Sequence, residues 1–167
     1  MVNPIREAVN IMSPDHDKLL THLNSAVSSS GNRRLTLQKV AAILRTIDNY
    51  RWVGLYEVDR IIGMVAIIAW SGPSAPEYPR FPVSKGLTGA AIAARKTVNV
   101  GDVTADPRYL TAFGTTRSEI IVPVFDTQRE NVIGTIDVES EHPNAFSEHV
   151  QAFLEACADV IWPLWQR

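Results

Sequence analysis

Three acids and two aromatic residues are spaced to hold a cation between them. Asp137 and Glu139 stand two apart in V-I-G-T-I-D-V-E-S, Val132 to Ser140, and Glu119 lies in R-S-E-I-I-V-P-V, Arg117 to Val124. Alternate residues of a strand share a face. Asp137 and Glu139 therefore face the same way as Thr135, while Ile136 and Val138 face the other way. Trp52 and Tyr56, four apart in W-V-G-L-Y, likewise share a face. Carboxylates brought close repel one another, and burial raises their pKa values. A cation among them relieves both effects, and an aromatic wall adds a cation–π attraction of roughly 0.5–2 kcal/mol. Such chemistry suits a small ammonium-bearing ligand. The same oxygens are of the type that binds Mg²⁺ or Ca²⁺, but no Asp-rich loop accompanies them, and no metal is expected. Read singly, Trp52 and Tyr56 also fit core packing.

A second stretch, S-K-G-L-T-G from Ser84 to Gly89, precedes an Ala-rich helical run. It is not a nucleotide-phosphate loop, because the lysine comes before the glycines rather than after the second one. Gly86 and Gly89, on either side of Leu87 and Thr88, instead leave backbone N–H groups at a helix start, which favours an anion such as a ligand carboxylate. No Ser-His-Asp or Cys-His constellation is readable. His16, His22, His142 and His149 lack metal-ligand spacing.

Strands and helices must position these groups. Asp15 to Val27 reads as a helix, with Ser13 as cap and Pro14 at the first helical position; Leu35 to Ile47 reads as a second. Ser28 to Asn32 is a loop between them. Arg51 to Glu57 and Arg60 to Trp70 read as hairpin strands joined near Val58-Asp59. Ser71 to Pro79 is a Pro-rich loop, and Pro82 limits Phe81 to Val83 to an edge strand. Gly86 to Arg95 is helical and Thr97 to Val100 a strand. Asp102 to Thr116 is a loop with a helical turn expected near Asp106-Pro107. Glu119 to Phe125 and Val132 to Ser140 form a second hairpin. Ser147 caps a last helix carrying Val150, Phe153, Leu154, Cys157 and Ile161 at helical spacing. This order predicts an α+β fold with a central antiparallel sheet. The apolar tail Trp162 to Trp165 is expected to pack on the N-terminal helices or on a second subunit.

Composition narrows the function classes. The 167 residues suggest one domain, with 46% apolar and 20% charged residues sufficient for a sizeable core. A net charge of -2 argues against nucleic acid or an anionic membrane as partner. No signal peptide is readable, and the apolar run from Ile61 to Trp70 is too short to span a bilayer, so a cytoplasmic location is expected. The single cysteine, Cys157, excludes an internal disulfide and a cysteine-based zinc site.

The stretches W-V-G-L-Y, S-K-G-L-T-G, R-S-E-I-I-V-P-V and V-I-G-T-I-D-V-E-S together resemble the GAF domain, a ligand-binding relative of the PAS fold. Within that family the chain is most similar to the free methionine-(R)-sulfoxide reductases, from about Leu35 onward. The resemblance implies helices mainly on one sheet face and a pocket, covered by loops and a helix, on the other. It further implies that Trp52, Tyr56, Glu119, Asp137 and Glu139 line that pocket and that the acids engage the ligand's ammonium and polar head. The reductases carry cysteines at positions that fall here on Tyr78, Thr88 and Ala112. Sulfoxide reduction needs a thiolate that attacks sulfur and is resolved through a disulfide, which none of these residues can do. Cys157 falls at an apolar helix position, where a buried thiol is inert.

The expected organisation is an N-terminal helical segment, residues 1–34, followed by a GAF domain, residues 35–167. The first functional reading is a non-catalytic, sensor-like domain for an amino-acid-like ligand, without cofactor. It would be a homodimer through its terminal helices, with a separate output protein as partner. The alternatives are a reductase-like enzyme and an interaction module with a collapsed pocket.

Overall fold

The computed structural model describes residues 14–29, 31–48 and 50–166; the expected cap Ser13 lies outside them. Two helices come first among the described residues, α1 (Pro14–Ser28) and α2 (Arg33–Arg45). The α2 helix begins two residues earlier than its apolar spacing indicates, because the Asn32 side chain accepts from the N–H groups of Arg34 and Leu35. Leu37, Val40, Ala41 and Leu44 form its buried stripe.

Strands β1 (Trp52–Asp59) and β2 (Met64–Ser71) form the first hairpin. The expected second strand, Arg60 to Trp70, loses its first four residues to the turn. Asp59 Oδ1 accepts from the N–H groups of Ile61 and Ile62, and Gly63 has a positive φ of 67°. Ile61 is consequently 97% exposed despite its apolar side chain. The edge strand β3 (Arg80–Pro82) pairs with β2, and α3 (Gly86–Ala94) follows. Next come β4 (Val98–Val100) and a 3₁₀ turn at Val103–Ala105. That turn lies upstream of the expected one, because Asp102 caps it through the N–H of Thr104. β5 (Ser118–Phe125), β6 (Val132–Ser140) and α4 (Glu148–Ile161) complete the fold before a 3₁₀ turn at Trp162–Trp165.

The six strands lie in the order β3-β2-β1-β6-β5-β4, every neighbour antiparallel. Alternation sorts side chains to the two faces. Val53, Leu55, Ile120, Val122, Ile136 and Val138 join α1, α2 and α4 in the main core. Trp52 and Tyr56 turn to the other face, where Leu87 and Ala91 of α3 pack on Ile121. The tail packs on the chain's own fold: Leu164 is buried, its carbonyl accepts from Arg33 Nε, and Trp165 Nε1 donates to the Tyr56 carbonyl at 3.0 Å.

Ser147 caps α4 as expected, accepting from the Val150 N–H. Ser147→Ala is expected to lower stability by about 1 kcal/mol, measurable as a lower denaturant midpoint at unchanged slope.

Among the described residues no helix is long and apolar enough to cross a membrane.

Candidate functional site

The sheet register builds the site. Trp52 pairs with Glu139, Gly54 with Asp137 and Tyr56 with Thr135 across β1 and β6. Glu119 of β5 pairs with Glu139 from the other side. One face therefore carries two aromatics, three acids and a hydroxyl on three adjacent strands. The α3 start and two loops close over them. The resulting cavity encloses about 450 Å³ of atom-free space, including its mouth.

Every residue singled out from the sequence lines this cavity: Trp52, Tyr56, Tyr78, Gly86, Leu87, Thr88, Ala112, Glu119, Asp137 and Glu139. Four more complete it, namely Pro76, Phe81, Leu110 and Phe113. Phe81 carried a signal, as the apolar centre of an otherwise exposed edge strand. Phe113 and Leu110 lie in an irregular loop where no period marks a face.

Gly54 determines how Trp52 lies. A Cβ on Gly54 would come within 2.2 Å of the indole Cη2, and one on Gly72 within 2.3 Å of its Cδ1. Opposite edges of the indole thus rest on two glycines, and the ring lies flat on the sheet. Its Nε1 donates to the Ser74 carbonyl at 3.2 Å, which ties the Pro-rich loop to β1. Phe113 stands 5.6 Å from Trp52 between ring centroids, and Phe81 stands 5.6 Å from Tyr56.

The acids are nearly enclosed, with Glu119 8%, Asp137 4% and Glu139 3% exposed. Asp137 accepts from Thr135 Oγ1 at 2.6 Å and from Thr88 Oγ1 at 2.9 Å. Glu139 accepts a short hydrogen bond from Thr116. Burial pushes the Asp137 carboxyl up to about 7, against the pull of the two threonine hydroxyls. Burial also raises Glu139 to about 7; Thr116 opposes this, Asp137 adds to it, and the charge of Arg51 lowers it. Glu119 is raised well above the usual carboxylate range by burial first, then by Glu139 and Asp137. Among the described residues none of the three acids forms an ion pair within 4 Å. Arg51, whose charge acts on Glu139, pairs with Glu141 at 3.4 Å and lies over the Phe113 ring.

Thr88 thus holds Asp137 from the first turn of α3. Gly86, with φ of 71°, makes the entry turn, where a Cβ would meet Leu110 Cδ1 at 3.0 Å. Lys85 gives the helix start no side-chain cap, and Gly86, Leu87 and Thr88 of its first turn line the cavity. Cys157 lies elsewhere, fully buried in the main core on the helical face of the sheet, with its thiol pushed up by burial. His142 and His149 are exposed, and among the described residues no group of three His, Cys, Asp or Glu is arranged to hold a metal ion.

Comparison with known proteins accords with this architecture. The family model for the GAF domain matches residues 32–162. GAF domain-containing protein A of Dictyostelium discoideum is 30% identical over 139 residues, covering 83% of this chain and 85% of that protein. The solved free methionine-R-sulfoxide reductase of Neisseria meningitidis, in complex with its substrate, superposes with a TM-score of 0.81 at 31% identity, over 90% of this chain and 88% of that one. A type II free methionine-R-sulfoxide reductase from Thermoplasma acidophilum gives 0.75 at 32% identity, over 80% and 92%.

Proposed function

This chain belongs to the GAF domain family, and from that premise we propose that it is a non-catalytic, sensor-like domain for a small ammonium-bearing, amino-acid-like molecule. One observation carries the reading: Glu119, Asp137 and Glu139 are buried together against Trp52 and Tyr56, and among the described residues no cation is ion-paired with them. Buried charges are ordinarily paired, and a ligand's ammonium supplies the missing partner. Its carboxylate would sit at the α3 start, against the N–H groups of Gly86, Leu87 and Thr88.

The similarity to sulfoxide reductases raises the enzymatic alternative. Tyr78, Thr88 and Ala112 bring no sulfur to the cavity. The chain's one thiol, Cys157, is sealed in the core beyond the sheet. Thiolate attack on a bound sulfoxide therefore has no donor within the chain. In this reading residues 35–167 form the binding unit, in the cytoplasm. The terminal helices transmit occupancy to a homodimer partner or a separate output protein.

Melting in the presence of methionine, methionine sulfoxide and related free amino acids tests the proposal. A ligand at a hundred times its Kd should add about 2.7 kcal/mol to stability. No shift with any of them, and loss of sulfoxide in their presence, would each count against it.

A further inference from the structure

The cavity offers more aromatic surface than a primary ammonium uses. Trp52 lies flat over Gly54 and Gly72, so the indole presents a π face, rather than an edge, to the cavity. Phe113 is tilted 49° against it, and Phe81 is edge-on to Tyr56. Together with Tyr78, these four rings wall a space whose floor carries the acids. Two of those acids are already hydrogen-bonded by threonine hydroxyls: Asp137 by Thr135 and Thr88, Glu139 by Thr116. What these two lack is opposite charge, whereas Glu119 accepts no hydrogen bond among the described residues.

A primary ammonium is a compact ion with three N–H donors that need convergent acceptors. A trimethylammonium group has no N–H donor and spreads its charge over methyl groups. It is recognised by negative potential and aromatic faces, the two things that this cavity supplies. Resting on the pocket reading above, we propose that the ligand's cationic end is a methylated, quaternary ammonium on a small free molecule. The rings of Trp52, Tyr56, Phe81 and Phe113 cage the methyl groups, and Glu119, Asp137 and Glu139 balance the charge.

Titration calorimetry with two matched pairs, choline against ethanolamine and glycine betaine against glycine, tests this, with methionine as a further probe. The methylated member of at least one pair should bind about tenfold more tightly than its primary amine. That preference should shrink severalfold in Phe113→Leu, with Phe81→Leu as a second variant should the first fail to fold. Equal or reversed affinity in both pairs, or a preference undiminished in the folded variant, overturns the quaternary assignment. If methionine or a primary amine binds in that case, the amino-acid pocket stands. If no probe binds, both readings fall.

Discussion

Asp137→Asn should stabilise the ligand-free protein by about 2–4 kcal/mol at pH 8 and by less than half as much at pH 5. In the unfolded chain Asp137 ionises near its ordinary value of 3.8, whereas in the fold it holds its proton to about 7. Between those pH values the folded state binds more protons than the unfolded one, so stability falls as pH rises. The contribution of that proton is complete below about pH 4 and gone above about pH 7. Glu139, raised from 4.5 to about 7, acts in the same direction and window. Asparagine has almost the same shape, can still meet the Thr88 and Thr135 hydroxyls, and carries no charge to desolvate. The same change should weaken ammonium binding by about 2 kcal/mol or more, because a buried cation loses an opposing charge. Urea melts of both proteins at pH 5 and pH 8 check the stability arm. A variant less stable than wild type at pH 8 would show that Asp137 is a satisfied structural acid.

The second large effect is expected at Trp52. Trp52→Ala removes a side chain that is 2% exposed and packed over two glycines. Neither Gly54 nor Gly72 has a side chain to fill the space, so the void persists. A loss of about 3–5 kcal/mol follows, together with loss of the wall that faces the acids. The Ser74 carbonyl also loses its indole donor, which frees the loop over the cavity. Thermal unfolding of the ligand-free variant measures the first effect, and calorimetric titration the second. Retained ligand affinity in a folded Trp52→Ala protein would remove the aromatic wall from the account.

The site was more legible than some of the elements around it. Period-2 spacing placed Asp137 and Glu139 on one face of β6 and Trp52 with Tyr56 on one face of β1. The observed register joins those faces. Strand pairing needs only alternation and turn residues, both present in Val132 to Ser140. Phe113, which lines the cavity, and Thr116, which donates to Glu139, were not legible as site residues, because both lie in irregular loop where no period assigns a face. The β1–β2 turn was hidden by Ile61 and Ile62, which extend the apolar run although their backbone is turned by Asp59 and Gly63. The early start of α2 was hidden in the same way: apolar spacing begins at Leu35, but the Asn32 cap sets the boundary.

The central claim is that buried carboxylates hold a ligand's cationic end, and protons compete with that end for the same groups. The most direct measurement is the melting temperature at pH 5 and pH 8, with and without excess methionine, methionine sulfoxide, glycine betaine or choline. The account predicts that at least one of them raises the melting temperature, and that the rise is larger at pH 8, where Asp137 and Glu139 have lost their protons. No rise at either pH, or a rise larger at pH 5, would contradict it.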